Sequence, residues 1–276
     1  MTDTTGAGTP TPVYPDLRGR SVSITGAARG LGLGMAEAFA AAGCNVQLID
    51  IDAGELDRVR ARLRDAHPRQ VIAVADASVT DPEAIRRALD DFRDDAGSLD
   101  VMVNNAGISA NAPSLDLDVD LWKKAIDINL TGVFVTATAA ARIMVQQGHG
   151  AILNTSSMYG VISAPDRAAY CASKAAVASL TKVLAVEWAC AGVRVNALAP
   201  GYIHTDLVAS LAAQGRLDLD LLTARTPLSR LGTPHDVANL ALFLASDVSA
   251  NITGQVVVTD GGWSADGFGV AARTTP

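Results

Sequence analysis

Seven short runs rich in apolar and β-branched residues punctuate this chain: SVSIT (21–25), NVQLID (45–50), VIAVAD (71–76), DVMVN (100–104), AILNTS (151–156), VRVNAL (193–198) and QVVVTD (255–260). Between most of them lie ten or more residues of helical pattern. Such an alternation leaves few folds open. Neighbouring parallel strands need a crossover, a helix supplies it, and the crossover is right-handed. The expectation is an α/β protein, a doubly wound parallel sheet with helices on both faces. Ligands in such sheets bind beyond the carboxyl ends of the strands, where the strand order reverses. Function is therefore read at the residues just past the end of each strand.

At 276 residues the chain suits one domain. It is 49% hydrophobic but only 4% aromatic, so the core is built from Ala, Val, Leu and Ile, as a buried parallel sheet requires. Mean hydropathy is +0.23, yet no run of about 18 uncharged apolar residues is evident, so a membrane span is not expected. The apolar surplus suits burial between subunits. Net charge is −7, and the arginines of RVRARLRDAHPR (58–69) recur around a helix with Glu55, Asp57 and Asp65 nearby. That reads as a solvated face, not a nucleic-acid patch. Cys44, Cys171 and Cys190 have no C-x-x-C spacing and the four histidines are scattered, which argues against a disulfide frame and a metal site. MTDTTGAGTPTPVYPD has neither a basic start nor an apolar stretch, so it reads as a disordered tail over 1–16 rather than a signal peptide. Residues 17–276 form the single domain, and a reducing compartment, the cytoplasm, is expected.

The strand ends carry the chemistry. After the first run comes TGAARGLG, with Gly26, Gly30 and Gly32, then Gly34 further on. Glycines there let backbone approach a pyrophosphate at a helix N-terminus; a tight turn is the plainer reading. Asp50 ends the second run, placed to accept ribose hydroxyls and to repel a 2′-phosphate. Arg29 pulls toward that phosphate, and Asp52 is the better helix cap. Asp76 follows the third run, as an adenine contact or as a cap. NNAG (104–107) offers two amides and a glycine for a ribose, or is a plain turn. Asn129 interrupts WKKAIDINLTGVFV, where its side chain competes with the helical backbone, for a structural or a relay reason.

YCASK (170–174) places a phenol and an ammonium four residues apart on a helix, hence on one face. A nearby positive charge lowers a tyrosine pKa from about 10 and makes the phenol a usable acid/base. Ser157 lies thirteen residues earlier, while Tyr159 has Ser163, not lysine, four residues on.

In order, TGAARGLG, Asp50, Asp76, NNAG, Asn129, Ser157, YCASK, APGYIHT (199–205) and TDGGW (259–263) resemble the short-chain dehydrogenase/reductase family over Leu17 to Trp263. The resemblance implies a Rossmann-type fold and a nicotinamide cofactor, NAD rather than NADP on the strength of Asp50. It makes Tyr170 the acid/base, Ser157 the hydrogen-bond partner of the substrate oxygen, and Lys174 the group that lowers the tyrosine pKa and binds the nicotinamide ribose. Asn129 would hold a water between Lys174 and solvent. Gly26, Arg29, Gly30, Leu31 and Gly32 would meet the phosphates, with Asp50, Ile51, Asp76 and Ala77 around the adenosine. Asn105, Ala106 and Gly107 would meet a ribose. Pro200, Gly201, Ile203 and Thr205 would line the nicotinamide. Residues 202–230 would form a lid over the substrate, with Ser109, Asn111, Tyr159, Asp166, Arg167 and His204 nearby. Members are commonly homotetramers.

The leading reading is NAD-dependent oxidation of a small secondary alcohol: a sugar, polyol or hydroxy acid. Arg29 and the shared architecture motivate an alternative, an NADPH-dependent 3-oxoacyl thioester reductase. A non-enzymatic nucleotide sensor would be expected to show a damaged catalytic set, which this sequence does not.

Overall fold

The computed structural model describes residues 13–215 and 217–267. Its strands are β1 Ser21–Thr25, β2 Asn45–Asp50, β3 Ile72–Asp76, β4 Val101–Asn104, β5 Gly150–Thr155, β6 Val193–Pro200 and β7 Val256–Thr259. The helices are α1 Gly30–Ala41, α2 Ala53–Ala66, α3 Pro82–Ala96, α4 Val119–Ile126, α5 Gly132–Gln147, α6 Ala168–Trp188, α7 Asp206–Ala213, α8 Leu219–Arg225 and α9 Pro234–Ala245. One parallel sheet holds all seven strands in the order β3-β2-β1-β4-β5-β6-β7. The order reverses between β1 and β4, so the crevice beyond their carboxyl ends is the expected ligand position.

Alternation along the strands feeds two cores. Val22 and Ile24 of β1 pack with Phe39 of α1, Leu56 of α2 and Leu242 of α9. On the opposite face Met102 and Ile152 pack with Phe92 of α3, Met144 of α5 and Leu184 of α6. Burial on both faces is why the strands read as continuous apolar runs. Most buried polar side chains within the sheet are paired; the Thr155 hydroxyl at the end of β5 has no partner among the described residues. Ser23 donates to Gln47 at 2.8 Å, and Gln47 donates to the Ala88 carbonyl at 2.7 Å, tying β1 and β2 to α3. Asn104, Asn154 and Thr181 form a second chain at 2.8 and 2.9 Å, joined by Thr136. This chain fixes α5 and α6 against the ends of β4 and β5.

Two expectations change. The composition puts the end of the tail at Asp16, but Pro15–Leu17 form a 3-10 turn and Asp16 accepts from Ser246 and from the Asp247 amide, both at 2.9 Å. Those hydrogen bonds order the chain before β1; residues 1–12 lie outside the described residues. The apolar helical stretches are also longer than the sequence runs suggest. Val119–Gln147 and Ala168–Ala191 reach mean hydropathies of 1.5 and 1.2, because a window tolerates the isolated charges that interrupt a run. Half of the first window and 39% of the second are buried, the pattern of core helices.

Candidate active site

The glycine turn after β1 and the NNAG turn after β4 are stitched together. Thr25 accepts the amides of Asn105 and Ala106 at 3.0 and 3.1 Å, and the Asn105 side chain donates to the carbonyls of Thr25 and Gly26. The glycines then serve different ends. A side-chain carbon on Gly32 would lie 2.1 Å from the Gly26 carbonyl oxygen, so Gly32 is required by the turn itself. Gly30 has φ +59°, and a side-chain carbon there would meet nothing closer than Thr205 at 4.0 Å. Open space therefore lies over Gly30 at the start of α1, whose first turn receives no side-chain cap. Free amides and a positive helix end facing such a space fit a pyrophosphate.

Asp50 sits at the end of β2. It accepts the amides of Ala28, Ile51 and Asp52 at 3.1, 2.8 and 3.2 Å. Asp52, as expected, caps α2 through the Glu55 amide. Arg29 pairs with Asp52. Asp76 is exposed at the end of β3 and is no cap, since Asp81 caps α3. Ala77 donates its amide to the Asp50 carbonyl at 3.1 Å. The side-chain amides of Asn104 and Asn105 are taken by protein partners. A side-chain carbon on Gly107 would lie 3.1 Å from the Asn129 oxygen and 3.5 Å from the Lys174 nitrogen, so this glycine keeps the crevice open above both.

Asn129 lies in a π-turn, Asp127–Thr131, between α4 and α5. Its side chain accepts the Ile108 amide at 2.8 Å and donates to the Ile108 carbonyl and to Ser173 at 2.9 and 3.1 Å. The side chain is thus a brace between the NNAG loop and α6.

Lys174 is 3% exposed and donates to the Thr155 carbonyl at 2.7 Å. Its ammonium lies 5.8 Å from the centre of the Tyr170 ring. Burial pushes its pKa down to about 8. Burial likewise raises Tyr170 above the ordinary phenol range, with the Ser157 hydroxyl and then the Arg167 charge pulling it down. In the protein without cofactor, desolvation of the phenolate outweighs the pull of Ser157 and Arg167. Ser157 caps a 3-10 turn, Met158–Gly160, through the Tyr159 amide. That turn is pressed onto α6: a side-chain carbon on Gly160 would lie 2.7 Å from the Lys174 carbonyl oxygen. Ser156 donates to the same carbonyl at 2.8 Å.

On the far side, Tyr202 and His204 bond to Gly232, so the Ile203 amide between them faces away from Gly232. Thr205 caps α7, accepting the Val208 amide, and keeps its own O–H to donate. Gly201 answers to a structural need, since a side-chain carbon would meet Asp260 at 2.7 Å. Pro200 ends β6 beside Thr259 of β7.

The substrate side is a small aromatic core under α8. Tyr159 and Trp263 flank Tyr202, with ring centres 6.1 and 5.1 Å from it. Of the six polar residues expected there, Tyr159 and Arg167 belong to it, and Asn111 meets Arg167. Ser109 and His204 are exposed, and Asp166 turns with φ +63°, its carbonyl accepting the Ala112 amide. Sequence reasoning missed Trp263, Arg225 and the hydroxyl pair Tyr159–Tyr202. Their one signal was the aromatic residue closing both APGY and TDGGW. Among the described residues no cluster of His, Cys, Asp or Glu fits a metal ion.

A family model described as "Enoyl-(Acyl carrier protein) reductase" matches residues 26–264. The chain is 42% identical to cis-4-hydroxycyclohexanecarboxylate dehydrogenase of Sinomonas cyclohexanicum, covering 89% of this chain and 97% of that one. It is 38% identical to a 3alpha-hydroxysteroid dehydrogenase of Mediterraneibacter gnavus, over 89% and 97%. It is 39% identical to galactitol 2-dehydrogenase (L-tagatose-forming) of Cereibacter sphaeroides, over 90% and 96%. A solved short-chain type dehydrogenase/reductase from Mycobacterium marinum superposes with a TM-score of 0.85 at 39% identity, over 92% of this chain and 98% of that one.

Proposed function

Because this chain belongs to the short-chain dehydrogenase/reductase family and is an oxidoreductase of CH–OH groups, we propose that it moves a hydride between NAD and a small secondary alcohol: a sugar, polyol or hydroxy acid. The observation that carries the reading is the convergence of Ser157, Tyr170 and Lys174 beside the β1–β4 crevice, where Gly30 leaves open space under α1.

Bound dinucleotide supplies the hydride acceptor or donor, and its oxidised ring is positively charged. The chain manages position and proton. Ser157 donates to the carbinol or carbonyl oxygen and orients it. Tyr170 takes the carbinol proton during oxidation and returns one during reduction. Lys174, held by the Thr155 carbonyl, adds positive charge below the phenol and reaches the ribose hydroxyls. Asn129 acts as a positioning residue, keeping α6 and the NNAG loop in register. Gly26, Arg29, Gly30, Leu31 and Gly32 would hold the pyrophosphate. Ile51, Asp76 and Ala77 would surround the adenosine, Asn105, Ala106 and Gly107 a ribose, and Pro200, Gly201, Ile203 and Thr205 the nicotinamide.

The NAD preference rests on Asp50. Its carboxylate is fixed by three amides where a ribose would meet the end of β2. Arg29, the feature of this sequence that favours NADP, already pairs with Asp52. Two acids and a neutralised arginine disfavour a 2′-phosphate. The protein is read as a cytoplasmic homotetramer, supported by three free cysteines and by apolar side chains on the outer faces of α5 and α6.

The test is NADH formation from NAD across sugars, polyols, hydroxy acids and steroids. Turnover of a polar secondary alcohol with NAD at least about tenfold better than with NADP supports the reading. Signal only with NADPH and an acyl thioester would move it to the 3-oxoacyl reductase alternative.

A further inference from the structure

Arg167 is the charged side chain at this site that the mechanism leaves unused. It begins α6, three residues before Tyr170, and is half-buried. Its guanidinium lies 5.1 Å from the centre of the Tyr159 ring. Its N–H groups reach the Tyr202 hydroxyl at 3.5 Å and the Asn111 side-chain oxygen at 3.2 Å. Both partners are neutral, and the Tyr202 contact is at the weak limit of hydrogen bonding. Among the described residues, no carboxylate lies within 4.0 Å of Arg167, whereas the more exposed Arg29, Arg62, Arg86 and Arg230 each have one. Asp166, next in the chain, is exposed on a left-handed turn. A second guanidinium, Arg225, lies 4.1 Å from the centre of the Trp263 ring, also without a carboxylate in reach among the described residues.

A half-desolvated guanidinium with weak neutral partners is poorly compensated. Its planar fork matches a carboxylate with two parallel hydrogen bonds. Beside it lies the aromatic cluster of Tyr159, Tyr202 and Trp263, in which Tyr159 and Trp263 are buried and Tyr202 is partly exposed. An uncompensated guanidinium at the rim of that cluster favours a substrate that carries an anion. Tyr170 packs against the same cluster that Arg167 touches through Tyr159 and Tyr202, so the two share one site.

Resting on the oxidoreductase reading, we propose that the substrate is a hydroxy acid. Its carbinol sits at Ser157 and Tyr170, and its carboxylate is held by Arg167. In the oxidative direction the carbinol C–H bond breaks, and its electron pair and hydrogen pass to NAD as hydride. The O–H proton passes to Tyr170, and the carbon–oxygen bond becomes a carbonyl. An oxo acid and NADH result, with the carboxylate unchanged.

The test compares cis-4-hydroxycyclohexanecarboxylate with its carboxamide, using NAD, in wild type, Arg167→Leu and Arg167→Lys. Wild type should prefer the acid, and Arg167→Leu should cut the acid-to-amide ratio of kcat/KM about 10- to 100-fold, mainly through KM for the acid. Arg167→Lys, which keeps the charge on a slimmer side chain, should recover part of that ratio. A second readout needs no turnover: cyclohexanecarboxylate should bind the wild-type NADH complex, followed by tryptophan fluorescence, and should lose that binding in Arg167→Leu. If wild type oxidises the carboxamide or galactitol as well as the acid, and the ratio survives in both variants, the carboxylate proposal is overturned while the oxidoreductase reading stands. If no alcohol yields NADH or NADPH and cyclohexanecarboxylate does not bind, both fall together.

Discussion

At the scale of single residues, Lys174 and Tyr170 show a site at odds with stability. An ammonium that is 3% exposed, with one carbonyl at 2.7 Å, is an expensive group to bury. Its pKa falls from 10.5 to about 8 in the folded protein. The unfolded chain therefore binds more protons between about pH 8 and 10.5. By linkage, unfolding free energy gains from this residue as pH rises through that window, and the penalty is full below pH 8. A drop of this size corresponds to about 3 kcal/mol. Lys174→Met should thus raise the thermal midpoint of the cofactor-free protein at pH 7, and the gain should shrink by pH 10. The same variant should lose turnover by about 10²- to 10⁴-fold, the range for a displaced acid/base system. Tyr170→Phe should lose turnover comparably without that pH-dependent gain. Calorimetry at pH 7 and pH 10 separates the two; no stabilisation of Lys174→Met at either pH would contradict a buried charge at this position.

Among the elements, four glycines near one another in sequence do four different things. Gly26 turns with φ +64°, Gly32 lies against the Gly26 carbonyl, and Gly30 leaves space over the start of α1. Gly34 belongs to packing: a side-chain carbon there would lie 2.7 Å from Pro234, the first residue of α9. Overpacking of this kind costs about 1–3 kcal/mol. Gly34→Ala should therefore lower the thermal midpoint and leave KM for NAD near wild type. Gly30→Ala should raise KM for NAD, since its left-handed backbone and open side face the crevice. Equal effects of both on KM would undo this division. The strands were legible because burial on both faces makes each a plain apolar run, and all seven lie within two residues of their expected bounds. The division of labour among glycines was not, because a Cβ clash depends on a partner far away in sequence. Asn129 was half legible: its misfit in a helix marked the spot, but the π-turn that accommodates it depends on Ile108 and Ser173. The aromatic cluster was least legible, since Tyr159, Tyr202 and Trp263 come from three separate turns and meet only in the fold.

The molecule as a whole carries more apolar surface than one sheet and its helices bury. Phe134 and Val145 on α5 are 49% and 42% exposed, and eleven residues, about three turns, place them on one face. On α6, Val183 and Val186 are 49% and 81% exposed, one turn apart. Both helices flank the same side of the sheet, so their outer faces form one apolar surface. A mean hydropathy of +0.23 in a chain of net charge −7 points the same way. Patches of this kind mark interaction sites on folded proteins. A stable self-association has to bury about 1,600 Å², and two long helices per subunit offer an area of that order. Each Val or Phe removed from water contributes roughly 1.5–3 kcal/mol, so a charge in its place both forfeits that and adds desolvation. The wild-type protein should sediment near four times its 28.4 kDa at micromolar concentration. Phe134→Lys with Val186→Lys should shift it to smaller species while the far-ultraviolet circular dichroism stays unchanged, because both side chains point away from the core. A wild type that sediments as a single 28.4 kDa species would leave these faces without a partner copy and return the apolar surplus to another binding role.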